Sequence, residues 1–243
     1  MTPSPFDSML PMPAAARAPR PGVLLFGGTF DPVHRGHTEL AFAARDRLFP
    51  GGGESGGGWI VFVPAAVSPH KKQNARPPAP ARHRVEMLRL ACRGGGRQRW
   101  WIWTEELRRA ERQDPPYAPS YWVDTLEAAA KTHADLSFLI GADQALAFNR
   151  WHEWERILDL ARPVVVARDG TRDVDGMRAE MLAGGWAEPD AARFLDRAVL
   201  LDTPLIDVNA TAIRESLASA ATEPIAGLDP RVERYARHLG LYA

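Results

Sequence analysis

The sequence predicts a doubly wound, mainly parallel α/β sheet closed by a small C-terminal helical part. Three observations predict it. Short apolar runs of four to six residues recur along the chain, as strands buried on both faces do. Stretches of helical spacing separate them, which parallel pairing requires of its crossovers. Finally, the segments richest in Gly, Pro, His and Asp follow the first, second, fourth and fifth apolar runs, so they gather at one edge of such a sheet.

The elements follow in order. Val23 to Phe26 is the first strand, broken by Gly27-Gly28, and helical spacing resumes past Gly36 with Leu40, Ala41, Ala44 and Leu48. Gly51 to Gly58 reads as a flexible insertion. Trp59 to Val63 is the second strand, and a Pro-rich loop follows with Ser68-Pro69-His70-Lys71-Lys72. A helix over 81–93 carries Val85, Leu88 and Cys92 along one stripe. Arg99 to Trp103 is the third strand, and Asp114-Pro115-Pro116 marks a surface turn. Ser120 is placed to cap a helix over 121–131. Leu136 to Ile140, Pro163 to Ala167 and Val199 to Leu201 complete six strands, with a helix entered through Gly141-Ala142-Asp143. Two helices, 210–219 and 229–239, end the chain.

Composition narrows the class. Thirty basic and thirty acidic residues balance in a chain of 243, so nothing suggests a nucleic-acid footprint or an anionic membrane surface. The single cysteine, Cys92, fits a reducing, cytoplasmic setting and reads as a buried helix residue. No apolar run reaches bilayer length. Residues 1–21, rich in Pro and Ala, read as a disordered N-terminal extension ahead of a domain over 22–243. His83, His133 and His238 read as surface histidines in helices.

Gly27 to His37 carries the chemistry. A strand, a glycine break and a helix mouth bearing His34 and His37 form a natural anion site. Glycines permit close backbone approach, helix N–H groups attract phosphate, and imidazoles donate hydrogen bonds to a polyphosphate. The competing reading is a metal pair, because residues three apart share a helix face; no third ligand stands at suitable spacing.

Thr29-Phe30-Asp31-Pro32-Val33-His34-Arg35-Gly36-His37 resembles the Thr/Ser-Phe-Asp-Pro-x-His-x-Gly-His signature of the nucleotidyltransferase superfamily. Ser68-Pro69-His70-Lys71, Ala118-Pro119-Ser120-Tyr121 and Asp124-Thr125-Leu126 are similar, in order, to segments of bacterial nicotinate-nucleotide adenylyltransferases. So are Ile140-Gly141-Ala142-Asp143, Trp151-His152-Glu153-Trp154, Asn209 to Arg214 and Leu239-Gly240-Leu241-Tyr242. The resemblance spans residues 23–242.

It implies a Rossmann-like nucleotidyltransferase fold. It also implies an enzyme of NAD biosynthesis that joins nicotinate mononucleotide to ATP with Mg²⁺ present, by direct attack of one phosphate on the other substrate's α-phosphorus. His34, His37 and Arg214 are then the catalytic set. Gly27, Gly28, Thr29, Phe30, Gly141, Asp143, Thr211 and Ile213 would bind ATP. His70, Lys71, Tyr121, Trp122, Trp151, His152 and Arg168 would bind the mononucleotide. Both partners are small molecules, and a homo-oligomer is left open.

Blander readings stand beside several of these. Arg214 and Lys71 also read as solvated charges, Asp143 as a helix cap, and Trp151 as core. Trp122 stands where the family usually has Thr, His152 where it often has Tyr, and Asn209-Ala210 where Ser-Ser is usual. The alternatives are a nicotinamide mononucleotide adenylyltransferase, another nucleotidyltransferase of the superfamily, and a non-catalytic nucleotide sensor.

Overall fold

The computed structural model describes residues 22–50, 57–67, 77–94, 97–113, 119–167, 173–202, 208–219 and 223–243. The predicted extension over 1–21, most of the Gly51–Gly58 insertion, the Asp114-Pro115-Pro116 turn, His70, Lys71 and Arg168 lie outside the described residues.

The chain runs β1 (Val23–Gly28), α1 (Arg35–Leu48), β2 (Trp59–Pro64), α2 (Ala81–Cys92), β3 (Trp100–Ile102), α3 (Glu105–Glu111) and α4 (Trp122–Ala130). It continues through β4 (Leu136–Gly141), α5 (Ala142–Leu146), a 3-10 turn at Phe148–Arg150, α6 (Trp154–Leu160), β5 (Arg162–Ala167) and α7 (Val174–Ala183). α8 (Glu188–Arg197), β6 (Val199–Asp202), α9 (Ala210–Ala218) and α10 (Pro230–His238) complete it. All strand pairs are parallel, in the order β3-β2-β1-β4-β5-β6.

That order is the predicted doubly wound sheet. The sequence direction reverses at β1 and β4, which pair in register from Val23 opposite Leu136 to Leu25 opposite Phe138. At such a switch point neighbouring crossovers leave toward opposite faces, opening a crevice beyond the strands' carboxyl ends. Gly27-Gly28 of β1 and Gly141 of β4 therefore border it.

Successive β1 residues feed two cores. Leu24 packs with Phe30, Ala41, Leu88, Ile213 and Val232 on the side of α1, α2, α9 and α10. Val23 and Leu25 pack with Val123, Phe138, Phe148, Ile157 and Phe194 on the side of α4, α6 and α8. Each fully buried Leu or Phe stabilises the fold by about 1.5–3 kcal/mol relative to exposure, so strands clad on both faces carry most of it.

Several local readings change. β3 is shorter than the predicted third strand because Arg99 turns left-handed (φ 56°) just ahead of it. Ser120 does not cap α4: Tyr121 holds the cap position, and the Ser120 hydroxyl accepts from the Val67 N–H at 3.3 Å. His133 is buried, its Nδ1 2.9 Å from the Thr132 hydroxyl, and His83 Nδ1 lies 2.9 Å from Tyr235 Oη. Only His238 of those three is exposed. Cys92 is buried as expected, and burial pushes its thiol up to about 12, so it stays protonated.

Candidate active site

The signature segment leaves β1 and turns at Phe30, which adopts φ 51°. A left-handed non-glycine costs roughly 1–2 kcal/mol. Burial of the Phe30 ring against Phe26 and Phe62 offsets that. The turn delivers His34 to the N-cap of α1 and His37 one turn later, their rings 3.8 Å apart between centroids and tilted by 31°. The His34 N–H donates to His37 Nδ1 at 3.3 Å. A neutral His37 therefore carries its proton on Nε2.

Burial pushes His34 down to about 4. Burial and then the charge of His34 push His37 down to about 3. Both imidazoles are thus neutral near pH 7 in the free protein. His34 Nδ1 is buried without a hydrogen-bond partner among the described residues. An approaching anion reverses the shifts, because the positive form gains a partner.

Arg214 joins this group from the far end of the chain. Its Nη1 donates to the Asp31 carbonyl at 2.7 Å and its Nη2 to the Thr211 hydroxyl at 2.8 Å, leaving further guanidinium N–H groups for a ligand. Asn209 caps α9, accepting from the Thr211 N–H at 2.7 Å, which fixes the helix start that aims Arg214.

Asp31 is the knot between these parts. Its Oδ1 accepts from Tyr242 Oη at 2.8 Å and from the Ala79 N–H at 3.0 Å. Buried Arg84 of α2 binds the same region from beneath. It donates to the carbonyls of Thr29 (2.7 Å), Ala65 (2.9 Å) and Ala79 (3.0 Å), so one guanidinium holds three loops.

At the switch point lies a cavity of about 560 Å³, whose lining takes in the Gly27–Thr29 start of the signature segment but not His34, His37 or Arg214. Gly27, Gly28 and Thr29 form its floor, and Tyr121, Trp122, Trp151 and His152 its aromatic wall. Glu106, Gln144 and Arg150 also line it. The Tyr121 and His152 rings face each other with centroids 4.2 Å apart, and His152 Nε2 lies 3.4 Å from Glu153. The volume falls within the range of small-molecule sites.

The structure thus brings His34, His37, Arg214 and Thr211 together on one side, and Tyr121, Trp122, Trp151 and His152 on the other. Phe30 and Ile213 stand apart. Both side chains are core, at 1% and 3% exposure, so only their backbone is available to a nucleotide. Asp143 is exposed in the first turn of α5, and the cap position belongs to Gly141. The glycines have a packing reason as well. A methyl group on Gly27 would lie 2.8 Å from the Trp122 ring, and one on Gly28 would lie 3.0 Å from the Phe30 ring.

Sequence reading missed Arg84 and Glu106. Both sit in charged helical stretches, Arg82-His83-Arg84 and Glu105-Glu106-Leu107-Arg108-Arg109, where nothing local separates a buried charge from a solvated one. Among the described residues no three His, Cys, Asp or Glu side chains converge as a metal site, and no helix is long and apolar enough to cross a membrane.

Comparison with known proteins adds to this geometry. Residues 25–216 match the model of the cytidylyltransferase-like family. A protein of Stenotrophomonas maltophilia carrying the name "Probable nicotinate-nucleotide adenylyltransferase" is 38% identical over 228 residues, spanning 90% of this chain and 96% of its own. One of Desulfatibacillum aliphaticivorans with the same name is 32% identical, spanning 90% and 98%. Among solved structures, the Plasmodium falciparum nicotinic acid mononucleotide adenylyltransferase complexed with NaAD superposes with a TM-score of 0.61, covering 91% of this chain and 97% of that one. At 14% identity, this likeness speaks to the fold.

Proposed function

Because the chain belongs to the cytidylyltransferase-like family, and within it to the nicotinate-nucleotide adenylyltransferases, we propose that it joins nicotinate mononucleotide to ATP. The products are deamido-NAD and pyrophosphate, and the setting is NAD biosynthesis. One observation supports this best: an aromatic cavity sized for a pyridine nucleotide adjoins, across the glycines of β1, a helix mouth lined by two imidazoles and a guanidinium.

The chemistry follows from the parts. An oxygen of the mononucleotide 5′-phosphate attacks the α-phosphorus of ATP. The new P–O bond forms as the bond to the β-phosphate breaks, and the electron pair leaves on pyrophosphate. The nucleophile is already ionised, so the protein needs no general base; it aligns two phosphates and stabilises the charge on the departing one.

His37 Nε2–H and the His34 ring donate to the triphosphate, whose charge raises their proton affinity toward the imidazolium form. Arg214 supplies a permanent positive charge from the opposite side. The N-terminus of α1, fourteen residues long, adds its dipole. Gly141 and Asp143 offer a backbone edge and a carboxylate to a ribose. Trp151 stacks on the pyridine, and the Tyr121–Trp122 backbone reaches its substituent. His70, Lys71 and Arg168, which lie outside the described residues, are assigned to the mononucleotide on the sequence resemblance.

The described residues form no ligand set for a resident ion, so Mg²⁺ is assigned to the triphosphate oxygens as part of the substrate. Pyrophosphate release with ATP, Mg²⁺ and either nicotinate or nicotinamide mononucleotide tests the whole reading. Clear preference for the acid is expected, and clear preference for the amide would move the protein to the sister activity.

A further inference from the structure

Glu106 of α3 is buried at 3% exposure, yet its side chain lines the aromatic cavity. It is the single acidic side chain among the described residues that do so. Three donors from three places converge on it: the Ala66 N–H beyond β2, the Ser120 hydroxyl just ahead of α4, and the Thr125 hydroxyl within α4, at 2.9 Å. Arg109 Nη2 donates in turn to the Thr125 hydroxyl at 3.0 Å. The carboxyl therefore ties the Pro119–Trp122 wall to the exit of β2. It also places an ionisable acid beside the pocket whose occupant carries either a carboxylate or a carboxamide.

We propose that Glu106 is a specificity-determining group: charged, it opposes a pyridine carboxylate in this cavity, and neutral, it admits one. The proposal rests on the mononucleotide occupying the aromatic cavity. Burial raises the Glu106 carboxyl to about 7, against the opposing pull of the Thr125 hydroxyl and Arg109, so its proton is exchanged near neutral pH. The other charged or titratable groups around it are Arg84 from α2, Tyr121 at the cap of α4, and Arg150 and His152 across the cavity. The acid and amide substrates share the same 5′-phosphate and ribose. The ratio of their kcat/KM values therefore cancels every titration except those that sense the pyridine substituent.

The test is that ratio, acid over amide, measured from about pH 6 to about pH 8. In the wild type it falls about three- to tenfold as pH rises, the size expected for two like charges roughly 10 Å apart in a partly screened site. In Glu106→Gln the ratio becomes flat, while His152→Gln keeps the fall. A flat wild-type ratio, or a fall that survives Glu106→Gln and vanishes in His152→Gln, overturns the proposal but not the activity. Turnover of neither mononucleotide overturns the activity and the proposal with it. Should Glu106→Gln fail to fold, Thr125→Val decides the matter. Losing a hydrogen bond to the charged form moves the inflection to higher pH if Glu106 is its source, and an unmoved inflection refutes it.

Discussion

Replacing Arg84 with Met keeps an unbranched stem of similar length in the core and removes every donor at its end. Three backbone carbonyls, of Thr29, Ala65 and Ala79, then lose the buried guanidinium that partners them. A hydrogen bond from a charged donor contributes about 1.5–3 kcal/mol, so three give about 4.5–9 kcal/mol before compensation. The guanidinium no longer has to be stripped of water, which returns several kcal/mol. We expect a net loss of about 3–5 kcal/mol, measured by urea unfolding with an unchanged slope. A domain of ordinary stability survives that loss at room temperature. Thr29 and Ala65 also line the cavity, so kcat/KM falls at least tenfold in the molecules that remain folded. Arg84→Lys, a point charge unable to span three carbonyls, recovers about half of the stability. A loss below about 1 kcal/mol in Arg84→Met would refute the view that one guanidinium holds these three loops.

The remaining expectations concern the signature segment. His37→Ala lowers kcat by about 100- to 1000-fold in steady-state pyrophosphate release while leaving the circular-dichroism spectrum unchanged, as loss of one charge-stabilising donor does. Tyr242→Phe removes the hydroxyl donated to Asp31 and costs about 1.5–3 kcal/mol in urea unfolding. Acid sensitivity follows from the two depressed imidazoles. The unfolded chain takes up their protons near pH 6.5, whereas the folded chain waits until about 4 and about 3. Stability therefore falls as pH drops below about 6.5, with a slope that approaches about 2.5 kcal/mol per pH unit from this pair near pH 5, and the double variant His34→Gln/His37→Gln flattens the slope. Saturating ATP opposes the same fall, because phosphate raises both proton affinities; calorimetry in buffers of different ionisation heat registers that as proton uptake on binding.

Much of this architecture was legible because its signals are local. Val23 to Phe26, Trp59 to Val63 and Leu136 to Ile140 are continuous apolar runs with no alternative reading, and the order of loops at their ends predicts the switch point. α3 escaped notice because two turns of charged residues give no periodicity. α7 and α8 did so because each buries few side chains: Met177 and Met181 in one, Ala191 and Phe194 in the other. The site divides in the same way. His34, His37 and Arg214 announce themselves by motif, whereas Arg84 and Glu106 owe their importance to burial, a property of neighbours distant in sequence. His133 teaches the same lesson in reverse: a histidine just past a helix end reads as solvent-facing, yet the fold buries it.

The bond between Tyr242 and Asp31 joins residues 211 positions apart, and that separation has a consequence for biogenesis. A nascent chain exposes the β1 loop 211 residues before it can receive the hydroxyl that steadies it. Until then the Asp31 side chain lacks one of its two partners, so the order of the β1 loop depends on a contact that closes across nearly the whole fold.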